Sequence, residues 1–132
     1  KWSAGPVTYL GLAIDGFPNF FTVSGPGSPS VLSNMIVTIE QHVNWIMDCL
    51  DTMQARQTAT IEATETASSD WVKAGNAIAA GTLFPTCNSW YLGANVPGKP
   101  RIFMPYVGGF PSYVEICENV KREGYPGFVF SN

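Results

Sequence analysis

Apolar residues recur along the first half of the chain in rhythms that predict different elements. Tyr9-Leu10-Gly11-Leu12-Ala13-Ile14 and Phe20-Phe21-Thr22-Val23 are short apolar runs on either side of Asp15-Gly16-Phe17-Pro18-Asn19. Runs of that length bounded by turn residues predict two strands, over 9–14 and 20–23. Gly25-Pro26-Gly27-Ser28-Pro29 follows and excludes helix or central strand, because proline lacks the N–H donor and glycine permits positive φ; it predicts a tight, shaped loop. Ile36, Ile39, Val43, Ile46, Met47, Leu50 and Met53 then recur at helical spacing, with Thr38, Gln41, Asn44, Asp48 and Asp51 largely on the other side. An amphipathic helix over 33–55 is predicted, capped by the hydroxyl of Ser30 or Ser33, which can accept from a first-turn N–H.

The second half carries weaker rhythms. Ile61-Glu62-Ala63 reads as a brief extended piece, and Ala67, Trp71, Ala74 and Ile78 mark one face of a second helix over 64–80, stopped by Gly81. Residues 82–100 read as a long loop, of a kind uncommon without a task. A strand over 101–106, a break at Gly108-Gly109, a third helix over 111–123 burying Val114, Ile116, Cys117 and Val120, and a closing strand over 128–130 complete the prediction. The expected class is α/β, with three helices and short strands. No internal repeat or linker divides the chain.

Composition narrows what such a unit does. Only 13% of the 132 residues are charged and 45% are hydrophobic, about half the usual share of charge. That predicts a surface partly covered by further polypeptide or a cofactor. A net charge of −3 gives no electrostatic footprint for nucleic acid. No apolar run approaches a membrane span, and the first residue, Lys1, is read as an internal cut in a longer chain. Three scattered cysteines, Cys49, Cys87 and Cys117, form no C-x-x-C, so neither a disulfide framework nor a zinc site is expected, and a reducing, cytoplasmic setting fits.

His42 is the only histidine. A multi-histidine metal site is therefore excluded and a Ser-His-Asp hydrolase would rest on His42 alone; the reading preferred is an ordinary helix-face histidine. Glu62, Glu65 and Asp70 read as carboxylates favoured by a helix N-terminus, ahead of a catalytic acid pair. The strand, loop and helix unit over 19–41 would set first-turn N–H groups beside a glycine-permitted backbone approach. Gly25-Pro26-Gly27 alone is neither G-x-G-x-x-G nor a P-loop.

Longer motifs say more. Gly16-Phe17-Pro18-Asn19-Phe20-Phe21, running into Gly25-Pro26-Gly27-Ser28-Pro29-Ser30-Val31-Leu32-Ser33-Asn34-Met35, is followed by Ile39-Glu40-Gln41-His42-Val43, Ser89-Trp90-Tyr91-Leu92-Gly93-Ala94-Asn95-Val96-Pro97-Gly98-Lys99-Pro100 and Tyr106-Val107-Gly108-Gly109-Phe110. In order and spacing this resembles the Baeyer–Villiger branch of the class B flavoprotein monooxygenases over essentially the whole chain. Gly25-Pro26-Gly27-Ser28-Pro29-Ser30 looks closer to the phenylacetone and steroid monooxygenase group than to the cyclohexanone group.

The resemblance implies the C-terminal part of a flavoprotein with two Rossmann-like dinucleotide-binding domains. Residues 1–56 would complete the FAD domain, and 57–132 would add the C-terminal helices, the Trp90 loop and closing strands. The family uses FAD, NADPH and O2 to convert a ketone into an ester or lactone. Ser33, Asn34 and Met35 would then lie at the flavin's edge, Ser30, Val31, Leu32 and Met35 would line the substrate pocket, and Trp90 would reach the NADP cofactor on a mobile loop, against the alternative of a buried core tryptophan. Lys99 and Arg101 read as solvated cations ahead of phosphate ligands. The family's two G-x-G-x-x-G fingerprints, its Baeyer–Villiger motif and its catalytic arginine are not in this sequence and are expected upstream, in the rest of a parent polypeptide. No catalytic residue and no metal ligand is assigned here, and the chain alone is expected to be inactive. The alternative is a stand-alone FAD-binding or inactive remnant module.

Overall fold

The computed structural model describes residues 2–94 and 96–132, with the backbone but not the side chain of Val31. Among them are three helices, α1 (Met35–Arg56), α2 (Glu65–Ala80) and α3 (Phe110–Arg122), and two strands, β1 (Thr60–Ala63) and β2 (Phe128–Ser131). The strands pair antiparallel, Ile61 opposite Phe130 and Ala63 opposite Phe128. The architecture is α/β, as expected. Short 3-10 turns occupy Ser30–Leu32, Phe84–Thr86 and Trp90–Leu92, the last two inside the stretch expected to be loop.

α1 buries a different side from the one its aliphatic residues mark. Thr38, His42, Trp45, Cys49 and Met53 are buried, spaced four, three, four and four residues apart, as one helix face requires. Of the predicted stripe only Met53 is buried; Ile36, Val43, Met47 and Leu50 are 69%, 44%, 52% and 43% exposed. The helix thus has two apolar sides, and this chain covers the one built on Trp45. The Trp45 indole N–H donates to the Cys117 carbonyl of α3 at 3.0 Å, which lets a large ring be buried without an orphaned donor.

α2 behaves similarly. Trp71 is buried as expected, with Ser68 and Ala79 beside it, whereas Ala74 and Ile78 are exposed. α3 buries Cys117 and Val120 as expected, but its third buried residue is Tyr113, while Val114 and Ile116 are half-buried. Trp71 stacks on Tyr106 with centroids 5.3 Å apart and 10° between planes. These rings, with Leu10, Leu12 and Trp45, form the main core.

Three expected strands, over 9–14, 20–23 and 101–106, are not strands; of 20–23 only Phe21 makes a bridge, to Ala13. Residues 9–14 double back: Tyr9 N–H donates to Ala13 O at 2.8 Å and Ala13 N–H to Tyr9 O at 3.1 Å, forming an isolated bridge, and Ala13 bridges in turn to Phe21. Leu10 and Gly11 have φ of 59° and 70°, which reverses a run that extended geometry would have carried straight on. The apolar content is still buried, with Leu10 and Leu12 at 0% exposure.

Residues 101–106 likewise form no ladder. Ile102 and Met104 donate to Leu92 O and Tyr91 O at 3.2 and 2.8 Å. Met104 O also accepts from Gly27 N–H at 2.6 Å, and Tyr106 N–H donates to Ser28 O at 2.8 Å. The segment is a stitch between two loops, and it decides which parts of the chain face each other.

Candidate functional site

The loop after residue 23 is shaped by internal bonds. Ser28 donates to Gly25 O from both its amide and its hydroxyl, at 3.1 and 2.7 Å. The Thr8 hydroxyl donates to Pro26 O at 2.6 Å, and the Trp71 indole N–H to Gly27 O at 3.0 Å. Gly27 has a φ of 85°, and a Cβ there would stand 2.9 Å from Trp71 Nε1, so no other residue fits.

The cap of α1 is Asn34 and not Ser30 or Ser33. Asn34 Oδ1 accepts from the amides of Ile36 and Val37 at 3.1 and 3.3 Å. The Ser33 hydroxyl lies instead 2.6 Å from Thr38 Oγ1 and donates to Ser30 O at 3.3 Å, and the extended backbone of Ser33 delays the helix to Met35. Two of the four first-turn donors are therefore satisfied internally, leaving the amides of Asn34 and Met35 at the positive end of a 22-residue helix.

The loop around Trp90 is built by its own cap. Ser89 Oγ accepts from Tyr91 N–H at 3.2 Å, and Gly93 ends the turn with φ of 68°. Trp90 is 56% exposed and contacts Tyr91 with centroids 4.1 Å apart, so within this chain it is not a core residue. Arg101 spans back to this region, donating to Asn88 Oδ1 and Cys87 O, each at 2.6 Å; it is a loop brace. Lys99 is exposed.

Because residues 101–106 stitch the two loops together, the loops share a cleft of about 160 Å³. Ser24, Gly25, Pro26 and Ser30 of the glycine loop line it together with Trp90, Tyr91, Met104 and Pro105. The structure thus brings Ser30 and Trp90 together, sixty positions apart in sequence. Leu32, Ser33, Asn34 and Met35 are not among the lining residues; Leu32 and Met35 are 37% and 43% exposed, and the Val31 side chain lies outside the description. Tyr91, Met104 and Ser24 were not singled out from sequence. Ser24 carries no sequence signal, since its left-handed φ of 56° is invisible in a residue type that rarely adopts it.

Among the described residues those lining the cleft offer serine hydroxyls, backbone and rings and no charged side chain. Two first-turn amides suit the electron-rich edge of a flavin, and an exposed indole with an N–H donor suits a ribose or amide of a nicotinamide cofactor.

The other candidates resolve into structure. His42 is fully buried, with Nδ1 2.9 Å from the Ser24 amide and Nε2 2.9 Å from the Tyr113 hydroxyl, and burial lowers its pKa from 6.5 to about 4. A buried imidazole with both nitrogens engaged has no reach to a serine nucleophile, so the hydrolase reading falls. Glu62 accepts from Gly16 N–H at 2.6 Å and Asp70 pairs with Lys73 at 3.0 Å, separate tasks and no acid pair. Cys49, Cys87 and Cys117 are free thiols. Among the described residues no cluster of His, Cys, Asp or Glu could hold a metal, and no helix is long and apolar enough to cross a membrane.

No family model matches the chain. Along almost its entire length, however, the chain is similar to known Baeyer–Villiger monooxygenases. A solved steroid monooxygenase, oxidised and bound to NADP, superposes with a TM-score of 0.91 at 50% identity over 98% of this chain and 24% of its own. A Baeyer–Villiger monooxygenase of Pseudooceanicola batsensis is 39% identical over 97% of the chain and 23% of its own length. Cyclohexanone 1,2-monooxygenase of an Acinetobacter species is 38% identical over 96% and 23%. The chain therefore spans about a quarter of the length of these relatives. The greater identity to the steroid enzyme agrees with the resemblance read from the Gly25–Ser30 stretch.

Proposed function

We propose that this chain is the C-terminal portion of an FAD- and NADPH-dependent Baeyer–Villiger monooxygenase and is inactive by itself. The reaction consumes a ketone, O2, NADPH and a proton, and yields an ester or lactone, NADP+ and water; one oxygen atom enters beside the carbonyl and the other leaves as water. The observation that carries the reading is the cleft shared by Ser30 and Trp90, in a chain homologous throughout to an NADP-bound steroid monooxygenase.

Within that reading, bound FAD activates O2 and the nicotinamide supplies the electrons. This chain's residues bind and orient. The α1 end at Ser33, Asn34 and Met35 favours negative charge on the flavin edge through its amides and dipole. Ser30, Val31, Leu32 and Met35 offer apolar and small groups that hold a ketone without reacting. Trp90 closes over the nicotinamide, donating its N–H and excluding water. Residues 1–56 complete the FAD domain and 57–132 carry the nicotinamide-side loop. The exposed α1 stripe of Ile36, Val43, Met47 and Leu50 is covered by the rest of the parent polypeptide, which also supplies the dinucleotide fingerprints and the catalytic arginine, in the cytoplasm.

The full-length protein, assayed with NADPH, O2 and a panel of cyclic, aryl and steroid ketones, is expected to consume NADPH and form the ester or lactone, identified by mass spectrometry. Residues 1–132 alone are expected to leave FAD fluorescence unquenched. Tight, stoichiometric quenching by 1–132 would instead favour a stand-alone flavin module, and NADPH consumption with no oxygenated product from any ketone would overturn the reaction assigned.

A further inference from the structure

His42 sits where four parts of the chain meet. The Ser24 N–H can only donate, so Nδ1 carries the lone pair and the ring proton sits on Nε2. Nε2–H then donates to the Tyr113 hydroxyl at 2.9 Å, and that hydroxyl donates to Leu10 O at 2.7 Å. The relay joins the Ser24 loop, α1, α3 and the 9–14 turn with every donor and acceptor used, at a site where His42 and Tyr113 are both 0% exposed.

The loop end of the relay is unusual. Ser24 has φ of 56°, a left-handed conformation that a non-glycine residue keeps only when its surroundings hold it. The hydrogen bond from its amide to His42 is the contact that does so, and the Thr22 hydroxyl donating to Gly11 O at 2.8 Å fixes the chain two residues before. Ser24 lines the same cleft as Trp90, and its own hydroxyl is closed to solvent with no hydrogen-bond partner among the described residues.

We propose that His42 is a positioning residue for the cleft: through Nδ1 it holds Ser24 in its left-handed conformation and so fixes part of the lining of the cleft that Ser24 shares with Trp90. It touches no ligand itself. The proposal rests on the functional reading above only for what the cleft binds; the latch is a property of this chain.

The latch depends on a neutral ring. Only backbone atoms, Leu10 O and Ser24 N–H, reach this relay from the 9–14 turn and the Ser24 loop. From α3 comes Tyr113, with Cys117 beside it; burial raises the pKa of both, the thiol to about 12. Among the described residues hydrogen-bonded in the relay none is a carboxylate that could stabilise an imidazolium, and a proton on Nδ1 would replace the acceptor that Ser24 needs.

Two substitutions in the full-length protein separate the ring's two ends. His42→Asn keeps an acceptor oxygen where Nδ1 stood and drops the link to Tyr113; His42→Gln keeps a donor near Nε2 and drops the acceptor for Ser24. Amide exchange of the peptide covering 22–30, read by mass spectrometry, is expected to accelerate about tenfold in His42→Gln, as loss of one net hydrogen bond implies, and to stay near wild type in His42→Asn. The ketone KM should follow the same order with FAD content unchanged. Equal exchange in the two variants, or wild-type exchange in His42→Gln, overturns the proposal, as does faster exchange with no change in KM. Should His42→Gln not fold, wild type serves: after correction for intrinsic rates, protection of 22–30 is expected to fall towards pH 4 ahead of that of β1 and β2, and simultaneous loss would overturn the latch. A wild-type protein that oxygenates no ketone would sink the assigned reaction and leave the exchange comparison to judge the latch.

Discussion

The indole N–H of Trp71 donates to the carbonyl of Gly27 at 3.0 Å across 44 positions of sequence, while the same indole stacks on Tyr106 at 5.3 Å. One side chain of α2 therefore holds both the glycine loop and the stitch that joins it to the Trp90 turn. Gly27→Ala would put a Cβ 2.9 Å from that indole nitrogen and 3.0 Å from the Thr8 hydroxyl, at a φ of 85°. The left-handed backbone alone costs about 1–2 kcal/mol, and the contact with two ordered side chains adds to it. The urea midpoint of Gly27→Ala is expected to drop accordingly, and that of Trp71→Phe, which keeps the stack but loses the donor, by the equivalent of about 1 kcal/mol. A Gly27→Ala protein as stable as wild type would show that the loop relaxes freely.

Stability should also fall on mild acidification, for a reason located at His42. The folded ring has a pKa of about 4 against 6.5 for the free side chain, lowered by burial. Between those values the unfolded chain binds a proton that the folded chain does not. The contribution is thus fully present above pH 6.5, declines as pH falls through the window, and is gone below about pH 4. The slope is about 1.4 kcal/mol per pH unit, on the order of 3 kcal/mol in all. Urea unfolding between pH 7 and 4.5 is expected to show this slope in wild type and a shallower one in His42→Asn. Identical slopes would assign the acid sensitivity to other groups.

How much of this was legible in sequence depends on what kind of signal each element carries. Helix boundaries were, to within two residues: 33–55 against Met35–Arg56, 64–80 against Glu65–Ala80 and 111–123 against Phe110–Arg122, because caps and stops are local. Which side of α1 is covered was not. Periodicity gives weight to Ile36, Val43 and Met47, yet the chain packs on Trp45, Cys49, Thr38 and His42, and polar residues that are buried because they are hydrogen-bonded do not register as apolar. The strands over 9–14, 20–23 and 101–106 failed for a related reason. An apolar run reports burial and not backbone direction, and the left-handed φ of Leu10 has no signature in a leucine.

The candidate site was legible only by resemblance. Motif order pointed to Ser30 and to Trp90 separately. That they share a cleft follows from Met104 bonding Gly27 through its carbonyl and Tyr91 through its amide, a long-range arrangement that no local pattern encodes. The resemblance could not show which atoms hold that cleft in shape, and the His42 relay emerged from coordinates alone.

The start of α1 offers a third prediction, because the cap differs from the residue expected. Asn34 Oδ1 serves two amides, so Asn34→Ala is expected to cost about 1 kcal/mol, as loss of a side-chain cap does, and Asn34→Asp, which keeps the acceptor, to cost less. Ser30→Ala removes no cap and should leave the urea midpoint near wild type. If Ser30→Ala costs as much as Asn34→Ala, the helix starts where the sequence first placed it.

Trp90 gives the sharpest division between packing and binding. Its ring is 56% exposed and its ring contact within the chain is with Tyr91, so truncation should barely change the melting temperature of the full-length protein. If the indole serves the nicotinamide cofactor, Trp90→Phe keeps a ring that excludes water but loses the donor, and the Kd for NADP+ is expected to rise about tenfold. Trp90→Ala loses both and should bind more weakly still, with FAD content unchanged in both variants. Isothermal titration with NADP+ and a thermal melt on the same preparations decide the matter. A lowered melting temperature with an unchanged Kd would make Trp90 a packing residue of its own loop and would leave the cofactor side of the cleft to Tyr91 and Met104.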